Sequence, residues 1–338
     1  MEARPGLGFG GSRQQLVALY PPLGDLLARA EAKLSLVWQG EAGFLAEAAR
    51  EALSGRGKRL RPILLLLSAE CAGGATDHST ALAAVVEVVH AASIVHDDVI
   101  DDASSRRGQL SARQAWGTKI SVLLGDYLIA RSLSLLDGRE TSRLLSHLSS
   151  VTSRMCQGQV AELRAAGRRM TEDQYLRIVS AKTASLFGLC CRVGAETAGG
   201  PPEVSDGLAL FGESFGVAFQ VTDDILDLIG SDGRSGKPEG RDMAERKWTL
   251  PLICAYERAE RDARGRLRQL LEADQVSARE VKEARQIALG TGAIAYCWQR
   301  ADDWLRQART HLARLPDSPA RQALLAIAGE RFPMPVMT

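Results

Sequence analysis

The chain is poor in aromatics and in net charge. Phe, Trp and Tyr make up 5% of its 338 residues, as expected of a core in which Leu and Ala pack helix on helix. With 42 Lys and Arg against 41 Asp and Glu, the net charge is +1. The cations are scattered, which argues against an electrostatic binder of nucleic acid. The six cysteines, Cys71, Cys156, Cys190, Cys191, Cys254 and Cys297, form no Cys-x-x-Cys pair and have no His at zinc spacing. Most sit in apolar helical runs and read as buried thiols of a reducing cytoplasm. No apolar run approaches ~18 residues, so no membrane span is expected. Met1 to Arg13 is Gly-rich without an apolar core, so it does not read as a signal peptide; residues 1–12 are expected to be flexible. No Pro/Gly/Ser linker divides the chain, and no stretch alternates as a strand should. One all-α domain over residues 13–338 is therefore expected, although length alone would permit two.

What the sequence does contain is a concentrated acidic motif. Four carboxylates fall within His96-Asp97-Asp98-Val99-Ile100-Asp101-Asp102, at the end of an apolar run that reads as a helix from about His78 to Asp102. On a helix, Asp97 and Asp101 project together, with Asp98 and Asp102 beside them. Such a cluster is either a solvated acidic helix end or a place for a hard divalent cation, and Mg²⁺ takes carboxylate and phosphate oxygens. The pattern recurs in Phe219-Gln220-Val221-Thr222-Asp223-Asp224-Ile225-Leu226-Asp227, again closing an apolar helical run. One such motif is weak evidence. Two suggest carboxylate walls on one cavity, where metal ions could clamp a diphosphate and neutralise its charge as it leaves.

Cations accompany these motifs. Lys58, Arg59 and Arg61 precede the very apolar Ile63 to Leu67, where a helix N-terminus would also favour an anion; alone, such a cluster is more often just a basic helix start. His90 lies one to two turns before Asp97 and is either a satisfied core residue or a donor to bound diphosphate. Arg106 and Arg107 follow the first motif, and arginine suits bidentate contact with phosphate. A helix is expected over 118–137, another from Ser142 to Ala166, and a third from an N-cap at Thr171 to about Ala198, carrying Lys182 and Thr183. The Gly- and Pro-containing stretch Gly230 to Glu245, with Lys237, reads as a loop and a candidate lid. It leads into Arg246-Lys247-Trp248-Thr249-Leu250-Pro251.

Taken in order, Gly57-Lys58-Arg59-Leu60-Arg61-Pro62, the first motif with Arg106-Arg107-Gly108, Lys182-Thr183, Phe219-Gln220 with the second motif, and the Lys237 to Pro251 loop carry a resemblance. From about residue 54 to 251 the chain is similar to the trans-isoprenyl diphosphate synthases (polyprenyl synthetase family), most like the bacterial long-chain members. The resemblance implies a single all-α bundle around a deep central cavity, usually a homodimer, that condenses isopentenyl diphosphate head-to-tail with an allylic diphosphate, using three Mg²⁺ ions when substrate is bound. By family role Asp97, Asp98 and Asp101 bind Mg²⁺ with the allylic diphosphate, and Asp223 does so from the second helix, whose motif includes Asp224 and Asp227. Lys58, Arg61, His90 and Arg107 would hold isopentenyl diphosphate. Arg106, Lys182, Thr183, Gln220, Lys237 and Lys247 would contact the allylic substrate or its leaving group. Arg246 and Gln159 depart from the family pattern, which commonly has Gly and frequently Glu there.

Product length rests on the face below Asp97, where Ser93, Ala92 and Val89 lie. No aromatic floor stands there, which favours a product longer than twenty carbons. Alternatively the small residues merely allow close helix packing, and the floor comes from Leu128 or Leu133. A class I terpene cyclase would lack the Lys58, Arg61, His90 and Arg107 set. A non-catalytic synthase subunit would have lost its aspartates.

Overall fold

The computed structural model describes residues 13–40, 43–54, 57–106, 109–136, 141–230, 240–273 and 275–329. The helices in chain order are α1 (Arg13–Leu19), α2 (Pro22–Ser35), α3 (Phe44–Leu53), α4 (Leu60–Ala72), α5 (Asp77–Ile100), α6 (Ala112–Trp116), α7 (Thr118–Ser134), α8 (Thr141–Ala165), α9 (Glu172–Val179), α10 (Ser185–Thr197), α11 (Pro202–Ile229), α12 (Arg241–Ala244), α13 (Leu250–Arg258), α14 (Arg261–Glu272), α15 (Ala278–Gly290), α16 (Ala293–Leu312) and α17 (Pro319–Gly329). The expected all-α class holds with one correction. Two-residue strands β1 (Ser105–Arg106) and β2 (Gln109–Leu110) pair antiparallel just after the first acidic motif. A pairing this short leaves no alternation to read in the sequence.

The chain divides into two compact units. The first comprises Met1–Ser149, Leu186–Gly212 and Arg309–Pro333; the second comprises Ser150–Ser185, Glu213–Ala308 and Met334–Thr338.

In the first unit α5 packs against α7, α2 and α4. Thr76 opens α5 with a capping box: its side chain accepts from the Ser79 N–H, and the Ser79 hydroxyl accepts from the Thr76 N–H. Val88, Ala92 and Val95 of α5 join Leu124 and Leu128 of α7 and Ala48, Ala49 and Leu53 of α3 in one buried cluster. Gly125 of α7 leaves room for the His96 ring of α5, since a Cβ there would lie 2.1 Å from Nε2 of His96.

The expectation about apolar runs needs correcting as well. Asp77–Ile100 and Glu172–Thr197 are long and apolar enough to cross a membrane by length and composition, with hydropathies of 1.5 and 1.2 over an 18-residue window. The scattered Ser, His and Glu residues that interrupt each apolar run do not lower the average enough to exclude it. Of those windows 67% and 72% are buried inside the protein, as in core helices.

In the second unit Thr171 caps α9 as expected, in a capping box with Gln174. The single helix expected to run to about Ala198 is broken at Ser180–Ala184 by a π-helical turn, which carries Lys182 and Thr183. Such turns cluster at functional sites because they re-aim side chains. The stretch expected to be irregular from Gly230 to Glu245 contains one helical turn, α12, and residues 231–239 lie outside the described ones. The returning chain is tied to the second acidic motif: the Gly240 N–H donates to the Asp227 carbonyl at 3.0 Å, and the Asp242 N–H to Asp227 Oδ2 at 3.1 Å.

Candidate active site

In the first unit the cationic cluster at the start of α4 separates into different roles. Arg59 has φ +51°, in the left-handed region unusual for a residue with a side chain. Its guanidinium donates to Glu87 at 2.6 Å and to the Leu53 carbonyl at 2.6 Å. Glu87 is buried on α5. Arg59 therefore pins the start of α4 to α5. Arg61 lies 2.8 Å from Nε2 of His90, one turn beyond Glu87, and its guanidinium stacks 4.4 Å from the ring centroid of Phe187. Lys58 is exposed. The structure thus brings Arg61 and His90 together, turns Arg59 of the expected cluster to Glu87, and adds Phe187 and Glu87, which the sequence reading did not place.

Helix α5 ends at Ile100, two residues earlier than expected. Asp101 caps it, its N–H donating to the Asp97 carbonyl at 2.8 Å, and Asp102 takes a left-handed φ of +51°. Asp98 is buried, whereas Asp97 and Asp101 are half-buried. Carboxylates at a helix C-terminus face the negative end of the dipole, each at a cost of roughly 0.3–1 kcal/mol. The second motif repeats this misplacement in the last two turns of α11. Both motifs accept this cost, which the stability of the helices alone does not explain. Among the described residues no three acidic, His or Cys side chains converge into a ready-made metal cage.

Arg106 has its backbone in β1, paired with Gln109. Arg107 and Lys237 lie outside the described residues. On α5, Ala92 is fully buried, Val89 is buried, and Ser93 is half-buried with its hydroxyl donating to the His90 carbonyl at 2.8 Å. Leu128 is buried in the same cluster as Ala92, and Leu133 is 46% exposed.

In the second unit the predicted residues form one hydrogen-bonded chain. The Thr183 hydroxyl donates to Gln220 Oε1 at 3.0 Å, Gln220 Nε2 donates to Asp224 Oδ1 at 2.7 Å, and the Tyr175 hydroxyl donates to Asp224 Oδ2 at 2.6 Å. Both oxygens of Asp224 are engaged, and the residue is buried. Burial pushes its pKa up to about 7, against the lowering effect of the two hydrogen bonds. Asp223, beside it, is exposed. Burial and the neighbouring Asp227 hold Asp242 well above the usual carboxylate range. Tyr175 was not a predicted site residue; its only sequence signal was a place one turn beyond the Thr171 cap.

Lys182 and Lys247 meet at Glu162. The Lys182 ammonium donates to Glu162 Oε2 at 2.6 Å, and the Lys247 ammonium lies 3.5 Å from the same oxygen. Lys247 also pairs with Glu245. A pocket is lined by Glu162, Tyr175, Lys182, Thr183, Gln220 and Lys247 among others. Arg246 takes φ +59°, so the backbone keeps the left-handed conformation for which glycine is the usual residue. The other departure, Gln159, is buried, and its amide has no hydrogen-bond partner among the described residues.

The family model described as polyprenyl synthetase matches residues 43–288. The chain belongs to the polyprenyl synthetase family. It is 39% identical over 271 residues to an all-trans-nonaprenyl-diphosphate synthase, geranyl-diphosphate specific, of Rhodobacter capsulatus, covering 80% of this chain and 82% of that one. It is 34% identical to a short chain isoprenyl diphosphate synthase of Methanothermobacter thermautotrophicus, covering 84% of this chain and 88% of the relative. The solved polyprenyl synthase of Caulobacter crescentus, complexed with calcium and isoprenyl diphosphate, shares the fold with a TM-score of 0.89 at 32% identity, over 96% of this chain and 98% of that one. The chain is thus an enzyme of the prenyltransferase class with the all-α isoprenoid synthase fold.

Proposed function

We propose that this enzyme condenses isopentenyl diphosphate head-to-tail with an allylic diphosphate primer and releases an all-trans polyprenyl diphosphate longer than twenty carbons. The observation that carries this reading is that both acidic motifs are intact at helix C-termini, where carboxylates are unfavourable without a cation. A cation set for a second diphosphate accompanies them. The long-chain product is supported by the nonaprenyl synthase relative, and the short-chain relative is the reason to test it.

Asp97, Asp101 and Asp223 would hold Mg²⁺, with Asp98 and Asp224 setting the shape of each motif from buried positions. Bound Mg²⁺ would neutralise the charge that builds on the departing diphosphate. Lys182 and Lys247, with Arg106 and Lys237, bind and orient that group, and Thr183 and Gln220 fix the substrate against them. Lys58, Arg61, His90 and Arg107 hold isopentenyl diphosphate so that its double bond meets the electron-poor allylic carbon. The proton then lost goes to the released diphosphate. The apolar walls exclude water, which would quench the cation. One synthase domain over residues 13–338, a homodimeric state and a cytoplasmic location complete the proposal. The domain reading is supported by a family match that takes in stretches of both compact units.

The test is incubation with Mg²⁺, isopentenyl diphosphate and each of the five-, ten-, fifteen- and twenty-carbon allylic primers, followed by mass analysis. A ladder ending beyond twenty carbons is expected. A stop at fifteen or twenty would keep the chemistry and remove the length. No elongation from folded protein would overturn the proposal. The same assay reads the chain-length face. Because Ala92 belongs to the packed core, Ala92→Phe would overfill it. Ser93→Phe is the readable variant, and it should shorten the ladder.

A further inference from the structure

A carboxylate in contact with the two lysines expected to grip a diphosphate is a paradox. If Lys182 and Lys247 bind an anionic substrate, an acid already holding them should weaken that binding. Yet Glu162 is placed with care. It follows Gly158 by four residues on α8 and so lies on the same face of the helix. A Cβ at Gly158 would sit 2.8 Å from the Lys182 backbone nitrogen and 3.1 Å from the Ala181 and Lys182 Cβ atoms. Only glycine lets α8 close on the π-helical turn at this distance. That closure brings Glu162 to Lys182 one turn later. The π turn itself re-aims Lys182 from the direction a regular helix would give it.

We infer that Glu162 is a positioning residue for the allylic diphosphate: through one shared carboxylate oxygen it holds the Lys182 and Lys247 ammonium groups side by side, ready for a diphosphate. The inference rests on the function proposed above and adds a residue to it. Two ammonium groups converging on one pocket repel each other, and each long side chain has many rotamers to explore. An acid between them removes both problems before substrate arrives, which is how a binding site is preorganised. Glu162 lines the same cavity as both lysines, Thr183 and Gln220. Its charge state fits this role. Burial alone would raise its pKa, but Lys247 and Lys182 outweigh that and hold the carboxylate below its usual range. Glu162 is therefore an anion in the substrate-free protein.

The test compares wild type, Glu162→Gln and Glu162→Asp in steady-state kinetics and in calorimetric titration of inorganic diphosphate with Mg²⁺. Glu162→Gln should raise KM for the allylic primer about tenfold while KM for isopentenyl diphosphate stays within about twofold. Its Kd for inorganic diphosphate should rise in parallel. Glu162→Asp, which keeps the charge on a shorter stem, should recover part of both. Unchanged KM and Kd in Glu162→Gln would overturn the inference. So would tighter diphosphate binding, since Glu162 would then be a competitor. An equal loss for both substrates would also overturn it, since the role would then be merely structural. Should Glu162→Gln not fold, Glu162→Asp and Gly158→Ala carry the test. Both keep the charges and should raise the primer KM alone; no rise in either would overturn the inference. If wild-type protein elongates no primer, the proposed function fails, and the diphosphate titration still decides the role of Glu162.

Discussion

The two acidic motifs have the same spacing, and the protein treats their aspartates alike position by position. In each, the second aspartate is buried: Asp98 is 2% exposed and Asp224 4%. In each, the first is more open, half-buried at Asp97 and exposed at Asp223. Both motifs occupy the C-terminal turns of long apolar helices, the end where a negative charge is least welcome. Their supports differ. Asp101 already lies past the last turn of α5 and acts as its cap, and the chain turns at once into the β1–β2 pair. Asp227 is still inside α11 and anchors the returning loop through Gly240 and Asp242. The pattern thus separates a buried middle carboxylate from more open ones on either side. The first motif is tied to the segment that follows it through Asp102, whose carboxylate pairs with Arg113 at 2.7 Å.

The sharpest way to break this comparison is to neutralise one open aspartate in each motif. Asp97→Asn and Asp223→Asn should each lower turnover by about 10²–10³-fold, the usual cost of losing one electrostatic contact to a developing charge. Without metal, each should shift urea unfolding by less than about 1 kcal/mol, because relief at the negative end of the helix opposes the loss of a side-chain contact near the surface. Loss of stability together with activity would mean that these aspartates are structural, and the two positions would no longer differ.

Asp224→Asn probes the buried position. Asp224 accepts from both Tyr175 and Gln220, so an Asn amide either faces the Gln220 donor or makes the Tyr175 hydroxyl give up its donated bond and accept instead. The loss of that bond should cost about 1–3 kcal/mol. The cost should depend on pH in a stated direction. Because burial raises the Asp224 pKa to about 7, the folded protein keeps a proton that the unfolded chain loses near the ordinary carboxylate value. The stabilisation this gives is full at low pH and disappears as pH rises through about 7. In metal-free unfolding, wild type should therefore lose its advantage over Asp224→Asn as pH climbs from about 4 to 7. A difference that stays flat would place Asp224 among ordinary ionised carboxylates.

Much of this arrangement was legible in the sequence because it is local. The acidic motifs, the Thr171 cap and the Arg61-Pro62 helix start are read from neighbours within a turn or two. The distant pairings were not legible. Arg59 meets Glu87 across 28 residues and Tyr175 meets Asp224 across 49. Which polar side chains meet over such spans depends on how the helices pack and in what register. The π turn is hidden for a related reason: Ser180–Ala184 fits a regular helix by propensity, and the packing of Gly158 against it is a tertiary fact. The reading of Ala92 shows the same limit. A small residue on the face below Asp97 looks identical in sequence whether it lines a tunnel or admits a neighbouring helix.

Arg246 gives the smallest expected effect and sharpens the contrast between backbone and side-chain control of Lys247. A left-handed residue with a Cβ costs about 1–2 kcal/mol, which glycine would relieve. Glycine would in turn lose about 0.5–1 kcal/mol to chain entropy. It would also lose the guanidinium bond to the Glu272 carbonyl, 3.3 Å away, and the cover over Gly167, whose N–H donates to the Arg246 carbonyl at 2.9 Å. These terms offset, so Arg246→Gly should change unfolding free energy by less than about 1 kcal/mol. Primer KM should stay within about twofold, because Lys247 is held by its own N–H to the Asp242 carbonyl at 2.8 Å and by Glu162 and Glu245. A larger rise in primer KM would mean that the arginine has become part of the lysine's placement, a role its side chain can fill only because the backbone kept the conformation that suits glycine.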